Sequence, residues 1–167
     1  TTAYYAGFLL GSWYTLRALK QVGHIRVYAA LASLLSASVL ITGVYDSPLI
    51  WIIMRSSTGF CFAGLYVVAE SWLNGLASNT FRGRLLAMYN VVTIGAYGAG
   101  QLLVFNFDAR TLTGFAFAAV VSSLAVIPVV MSEQAATPNV DNHTHITMRE
   151  LAKIVPTGAG TILLVGL

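Results

Sequence analysis

Arg55 and Glu70 carry the chemistry that most needs explaining, because both lie within 49–74, a stretch otherwise dominated by apolar side chains. A charge at the centre of a membrane helix costs about 2.5–3.5 kcal/mol on insertion scales, so such residues mark function or a partner. At 100° and 1.5 Å per residue, the two would lie roughly 60° apart around a helix and roughly 22 Å apart along it. They share one face with Trp51, Gly59, Phe62, Ala63 and Tyr66, which leaves Ile52, Ile53, Leu65, Val67 and Val68 mostly for lipid or packing. A guanidinium in a watery cavity recognises carboxylate or phosphate and stays charged. Arg55 can also snorkel outward, being only about 9 Å from the nearer helix end by rise. Glu70 lies about one turn from the other end, within reach of Arg17, Arg82 and Arg84, and could form an ion-pair lock or take up a proton. Asn90, Thr93, Tyr97 and Gln101 fall within roughly 80° of one another on a later segment. Any one of them could merely tie helices together, but four in register point to a cavity. The candidate substrate and coupling residues are therefore Arg55, Tyr66, Asn90, Tyr97 and Gln101, and the candidate gate is Glu70 with Arg17, Arg82 and Arg84.

The elements that must hold these residues are membrane helices. Hydrophobic residues make up 57% of the 167-residue chain and charged residues 9%, against about a quarter charged in soluble proteins. Mean hydropathy is +0.75. The partner this implies is a lipid bilayer; the net charge of +3 sits in connecting segments and is no sign of nucleic acid. The single Cys61 excludes an intrachain disulfide. A chain that opens on Thr1 and stops at Leu167 inside an apolar run reads as a piece of a longer protein, with no cleavable signal peptide visible.

Apolar residues 3–16 form a partial span, with Tyr4, Gly7, Gly11 and Thr15 on one stripe where another helix could approach closely. A basic turn, 17–26, is centred on Gly23, and 27–44 is the next span, with serines and Thr42 but no charge. Residues 45–48 make a turn, Pro48 suiting a helix start. After 49–74 comes a polar interval, 75–84, then a span over 85–105, a turn at 106–110 and a span over 112–131 with Pro128 near its end. The polar faces of 49–74 and 85–105 suggest cavity-lining helices, whereas 27–44 and 112–131 read as outer, lipid-facing ones. Residues 132–153 form one long polar connection, in which Thr147 and Glu150 fit a capping box. A further span begins at 154. Arg17, Lys20, Arg26, Arg82, Arg84, Arg149 and Lys153 fall on one side, which the positive-inside rule makes cytoplasmic: 17–26, 75–84 and 132–153.

Catalytic and metal chemistry find little support. His24, His143 and His145 lie in connections, Asp46 and Asp108 in turns, so no Ser–His pair or Asp dyad assembles at membrane depth. His143 and His145 lack a third ligand nearby. The expectation is no enzyme, no catalytic residue, no metal and no cofactor. An intramembrane enzyme, or a scaffold or receptor that transports nothing, is the alternative class.

Arg55, Gly59 and Ala63 resemble the fourth-helix motif of the major facilitator superfamily, an Arg followed at intervals of four by Gly and a small residue, and here Gly59 and Ala63 would serve helix packing. The phrases VVAESWL, RGRLLAMY and GQLLV are similar, more narrowly, to its bacterial YcaD-type branch. The resemblance implies an all-α, polytopic amino-terminal bundle at 1–131 lacking its first span, a central loop at 132–153 and the start of the next helix at 154–167. It further implies a multi-pass bacterial inner-membrane transporter of a small solute working by alternating access, ion-coupled, with protons a candidate ion. Two departures stand out. The family's loop signature has Asp where this chain has Lys20 and Gly where it has Leu16, so the usual carboxylate lock is missing and Glu70 is its natural substitute. No Pro occurs between Pro48 and Pro128, so GAYGAG does not complete the antiporter signature.

Overall fold

A computed structural model describes residues 2–76, 81–105, 107 and 111–131. The expected polar connection 132–153, with His143, His145 and its capping box, and the expected span from 154 lie outside them. The described residues form six helices: α1 Thr2–Val22, α2 His24–Val44, α3 Pro48–Leu76, α4 Arg82–Val104, α5 Leu112–Leu124 and α6 Val126–Met131. The chain is all-α, and His24–Val44, Pro48–Gly75 and Leu112–Met131 are long and apolar enough to cross a membrane. α1 and α4 match them in length, with 21 and 23 residues, but charge in α1 and Asn90 and Gln101 in α4 make them less apolar.

The helices end where the sequence gives a reason. α1 runs through Arg17 and Lys20 to Val22, so the turn expected at 17–26 shrinks to Gly23, whose φ of 86° suits a residue without Cβ. Its N–H still reaches the Leu19 carbonyl at 3.1 Å. This correction follows from burial, because Leu19, His24 and Val27 all belong to the interior and helix must continue on both sides to place them there. Pro48 opens α3, where its missing N–H costs nothing. The expected span 112–131 is interrupted at Ala125. Pro128 offers no N–H to the carbonyl four residues back, and the chain divides there into α5 and α6.

α3 is the axis of the bundle: α1 packs along it, α2 lies against both, and α5 and α6 pack on the far side of α2. Leu19, Val27, Leu31, Leu35, Cys61 and Val68 form the core between α1, α2 and α3. α2 keeps the outward face expected of it, with Ala30, Leu34, Ala37, Leu40 and Val44 exposed along one stripe, and it is flanked by helices on its other sides. Its serines are the reason: Ser38 bonds Ser57 of α3 at 2.8 Å, while Ser36 donates to the Ala119 carbonyl at 2.8 Å and meets Ser123 at 2.9 Å. Hydroxyls facing partners on both sides need helices on both sides.

α1 and α3 approach until backbone meets backbone. Gly7 lies on the Ser56 backbone, Gly11 on that of Phe60, and Gly59 on that of Tyr4, with no space for a Cβ at any of the three. Gly64 faces Leu31 and Thr15. The stripe Gly7, Gly11, Thr15 is buried as its spacing implies, and so are Gly59 and Ala63. The turn at 45–47 and Thr111 line one cavity of about 680 Å³, so the ends of α2 and the starts of α3 and α5 meet at one end of the bundle.

Candidate functional site

Arg55 projects from the first half of α3 near that end, exposed, its guanidinium carbon 5.1 Å from the Trp51 ring centre. At this distance the ring face attracts the cation by about 0.5–2 kcal/mol. Arg55 and Trp51 line an open cavity of about 610 Å³ to which α2, α3, α4 and α5 contribute, with Leu103, Phe107, Phe115 and Phe117 among its walls. Phe107 and Phe117 pack ring on ring with centres 5.3 Å apart. Thr42 and Thr58 also reach it, but their hydroxyls donate back to the Ser38 and Met54 carbonyls, each at 2.7 Å.

Further along α3, Tyr66 meets Tyr97 of α4 hydroxyl to hydroxyl. Two residues absent from the sequence-based set join them. Tyr4 of α1 is near enough to Tyr97 and Arg55 to interact electrostatically, and Tyr89 of α4 relates in the same way to Tyr97 and Glu70. Phenols thus occupy the α1–α3–α4 face between the two charges. Tyr4 carried a signal, since it shares the stripe of Gly7 and Gly11; Tyr89 carried none, because only the register of α4 against α3 brings it near Glu70. Asn90 and Gln101 are exposed and bond no other described residue, while Thr93 donates to the Tyr89 carbonyl of its own helix at 2.8 Å.

The candidate gate residues are held separately. Glu70 is exposed, and among the described residues no ion pair joins it to Arg17, Arg82 or Arg84. Arg17 lies 3.4 Å from the Trp13 ring centre, Arg82 donates to the Asn74 carbonyl at 3.3 Å, and Arg84 is exposed. His24, seen in the sequence only as part of the basic turn, is 4% exposed. Its Nε2 lies 3.1 Å from Ser71 Oγ, which ties the start of α2 to the last turns of α3. No group of three His, Cys, Asp or Glu side chains that could hold a metal occurs among the described residues.

Membrane-length helices around a polar-faced axis, with charges at both of its ends, define an all-α, multi-pass membrane bundle. Its homologues are of the same class. Over 158 residues the chain is 25% identical to the uncharacterized MFS-type transporter YcaD of Escherichia coli O45:K1 (strain S88 / ExPEC), and the match covers 92% of this chain and 40% of the relative. It is 24% identical over 154 residues to the protein of that name from strain O6:K15:H31 (536 / UPEC), with the same coverage. No family model and no solved structure matches. The chain thus spans about 40% of the length of the curated relatives it matches.

Proposed function

We propose that this chain is part of a secondary transporter of the bacterial inner membrane that moves a small solute by alternating access, coupled to an ion flow. The observation that carries the reading is the polar side of α3, where Arg55, Tyr66 and Glu70 are held by a helix of membrane length and faced by Tyr97 of α4. The name MFS-type transporter, borne by its homologues, supports it. In this reading Arg55, Tyr66, Asn90, Tyr97 and Gln101 meet solute or coupling ion. Glu70 closes the cytoplasmic end with Arg17, Arg82 and Arg84 in one conformation and releases them in another. Segments 17–26, 75–84 and 132–153 face the cytoplasm.

Flux into proteoliposomes of the full-length protein tests the reading. Solute-dependent flux should appear and fall at least about tenfold in Arg55→Ala, the loss of one charge-assisted contact. Flux unchanged in that variant removes Arg55 from the path, and cleavage of a peptide or lipid in place of flux removes the transporter reading. In the same preparation Glu70→Gln should change the labelling of a cysteine placed at position 46, because a lost lock shifts the conformational balance. Identical labelling removes the lock.

A further inference from the structure

We propose that the cavity beside Arg55 binds a singly charged amphiphilic anion, a carboxylate or phosphate head on an apolar body. As a statement about cargo this rests on the transporter reading; as a statement about binding it does not. Three observations converge on this chemistry. The cavity, about 610 Å³, is of the size that holds a small organic molecule. Arg55 is the one charged side chain among its described lining residues and makes no hydrogen bond or ion pair with any described residue. The remaining walls are mostly aromatic and aliphatic, and beside Thr111 the hydroxyls of Thr42, Thr58 and Ser122 are already donating to carbonyls of their own helices.

Arg55 is exposed, the Trp51 face meets only its π surface, and among the described residues no acceptor meets its N–H fork. A carboxylate or phosphate fits that fork with two parallel bonds. Neutral solutes would leave the charge unpaired, and small hydrated anions would leave Leu103, Phe115 and the Phe107–Phe117 pair facing water. An anion with an apolar tail meets both demands. The single charge follows from Asp46, which lines the adjoining cavity at the turn end, a space that shares Trp51, Thr42 and Phe115 with the first. A second negative charge on the ligand would face that carboxylate.

Such an anion could be a transported solute or a membrane lipid. The probe is labelled dodecanoate, added to the full-length protein in phosphatidylcholine nanodiscs at a pH where the carboxylate is ionised. Dodecanoate should bind, with dodecanol and dodecylammonium competing at least about tenfold more weakly, equivalent to about 1.4 kcal/mol. Arg55→Gln should weaken dodecanoate at least tenfold and leave dodecanol unchanged. Ala118→Trp, which fills the cavity from α5 without touching the charge, should weaken both. Gel-filtration profiles matching the parent establish that both variants fold. Dodecanoate binding equally well to parent and Arg55→Gln, or to parent and Ala118→Trp, overturns the proposal. Arg55-dependent flux of dodecanoate into proteoliposomes identifies cargo. Arg55-dependent binding without flux, displaced by phosphatidylglycerol, identifies a lipid site; it upholds the binding and removes the anion as cargo, with transport of other solutes unaffected.

Discussion

α3 has two neighbours that could hardly be held more differently. Against α1 it is joined by glycines, with backbone on backbone and Gly7, Gly11, Thr15, Gly59, Ala63 and Gly64 all buried. Against α4 it is joined by the Tyr66–Tyr97 contact and by Arg82 on the Asn74 carbonyl, and α4 has no buried residue. α4 has glycines too, yet a Cβ at Gly95, Gly98 or Gly100 would meet nothing within 4 Å. Small residues therefore do not by themselves make an interface; they permit one where a partner backbone is in register. Among the described helices, α1 and α3 form a pair that can shift only as a unit. α4 packs far more lightly on α3, with the Tyr66–Tyr97 pair and the Arg82 bond among its ties.

The sharpest way to break this contrast is to add a side chain on each surface. Gly7→Val must push α1 off the Ser56 backbone, and backbone cannot give way as a flexible side-chain tip can. We expect a loss of about 3 kcal/mol, the upper part of the range for overpacking, read as a lowered unfolding midpoint or as loss of the monodisperse peak. Gly98→Ala should do the opposite, leaving the midpoint unchanged or raising it by up to about 1 kcal/mol through helix propensity. Equal effects from the two changes would dissolve the distinction.

How far the sequence disclosed this arrangement depended on whether the signal was local. The spans at 27–44, 49–74 and 112–131 and the Gly7–Gly11–Thr15 stripe were legible because 3.6-residue periodicity and small side chains act within one helix, whereas Gly59 and Ala63 were picked out by the resemblance. Which helices flank α2 was not legible. A helix without charges looks lipid-facing, and only the partners of Ser36 and Ser38 reveal neighbours on both sides. The turn at 17–26 was drawn too wide because basic residues read as loop, whereas Arg17 and Lys20 here prolong α1 and leave the reversal to Gly23. In the candidate site, Arg55 and Glu70 were legible as charges at membrane depth. Their surroundings, the Phe107 and Phe115 walls and the phenols of Tyr4 and Tyr89, depend on distances between helices that no single-helix pattern encodes.

A second change refines the tight side. Thr15 is 1% exposed, and its Oγ1 has no hydrogen-bond partner among the described residues. A buried hydroxyl without a partner costs about 1–3 kcal/mol, and valine has nearly the same shape. Thr15→Val should therefore stabilise the α1–α3 pair by about 1 kcal/mol, visible as a raised midpoint. A fall of similar size would show that the hydroxyl has a role the packing does not reveal.

The smallest effect expected is at the loose side. Tyr97→Phe and Tyr66→Phe each remove one hydroxyl from a contact half open to its surroundings, and polar contacts between membrane helices average about 0.6 kcal/mol. A double-mutant cycle isolates the pair, and a coupling energy near that value is expected. Since Tyr66–Tyr97 ties the lightly packed α4 to α3, even this small change should alter its position more than its stability. Cysteines introduced on α4 at Gly95 and Gly98 would report it, because the native Cys61 is fully buried and stays silent to a water-soluble thiol reagent. Labelling rates that rise in Tyr97→Phe while the midpoint barely moves would mark the phenol pair as a latch on a movable helix. Rates identical to the parent would mean that α4 is held by packing after all, and the contrast with α1 would be one of degree.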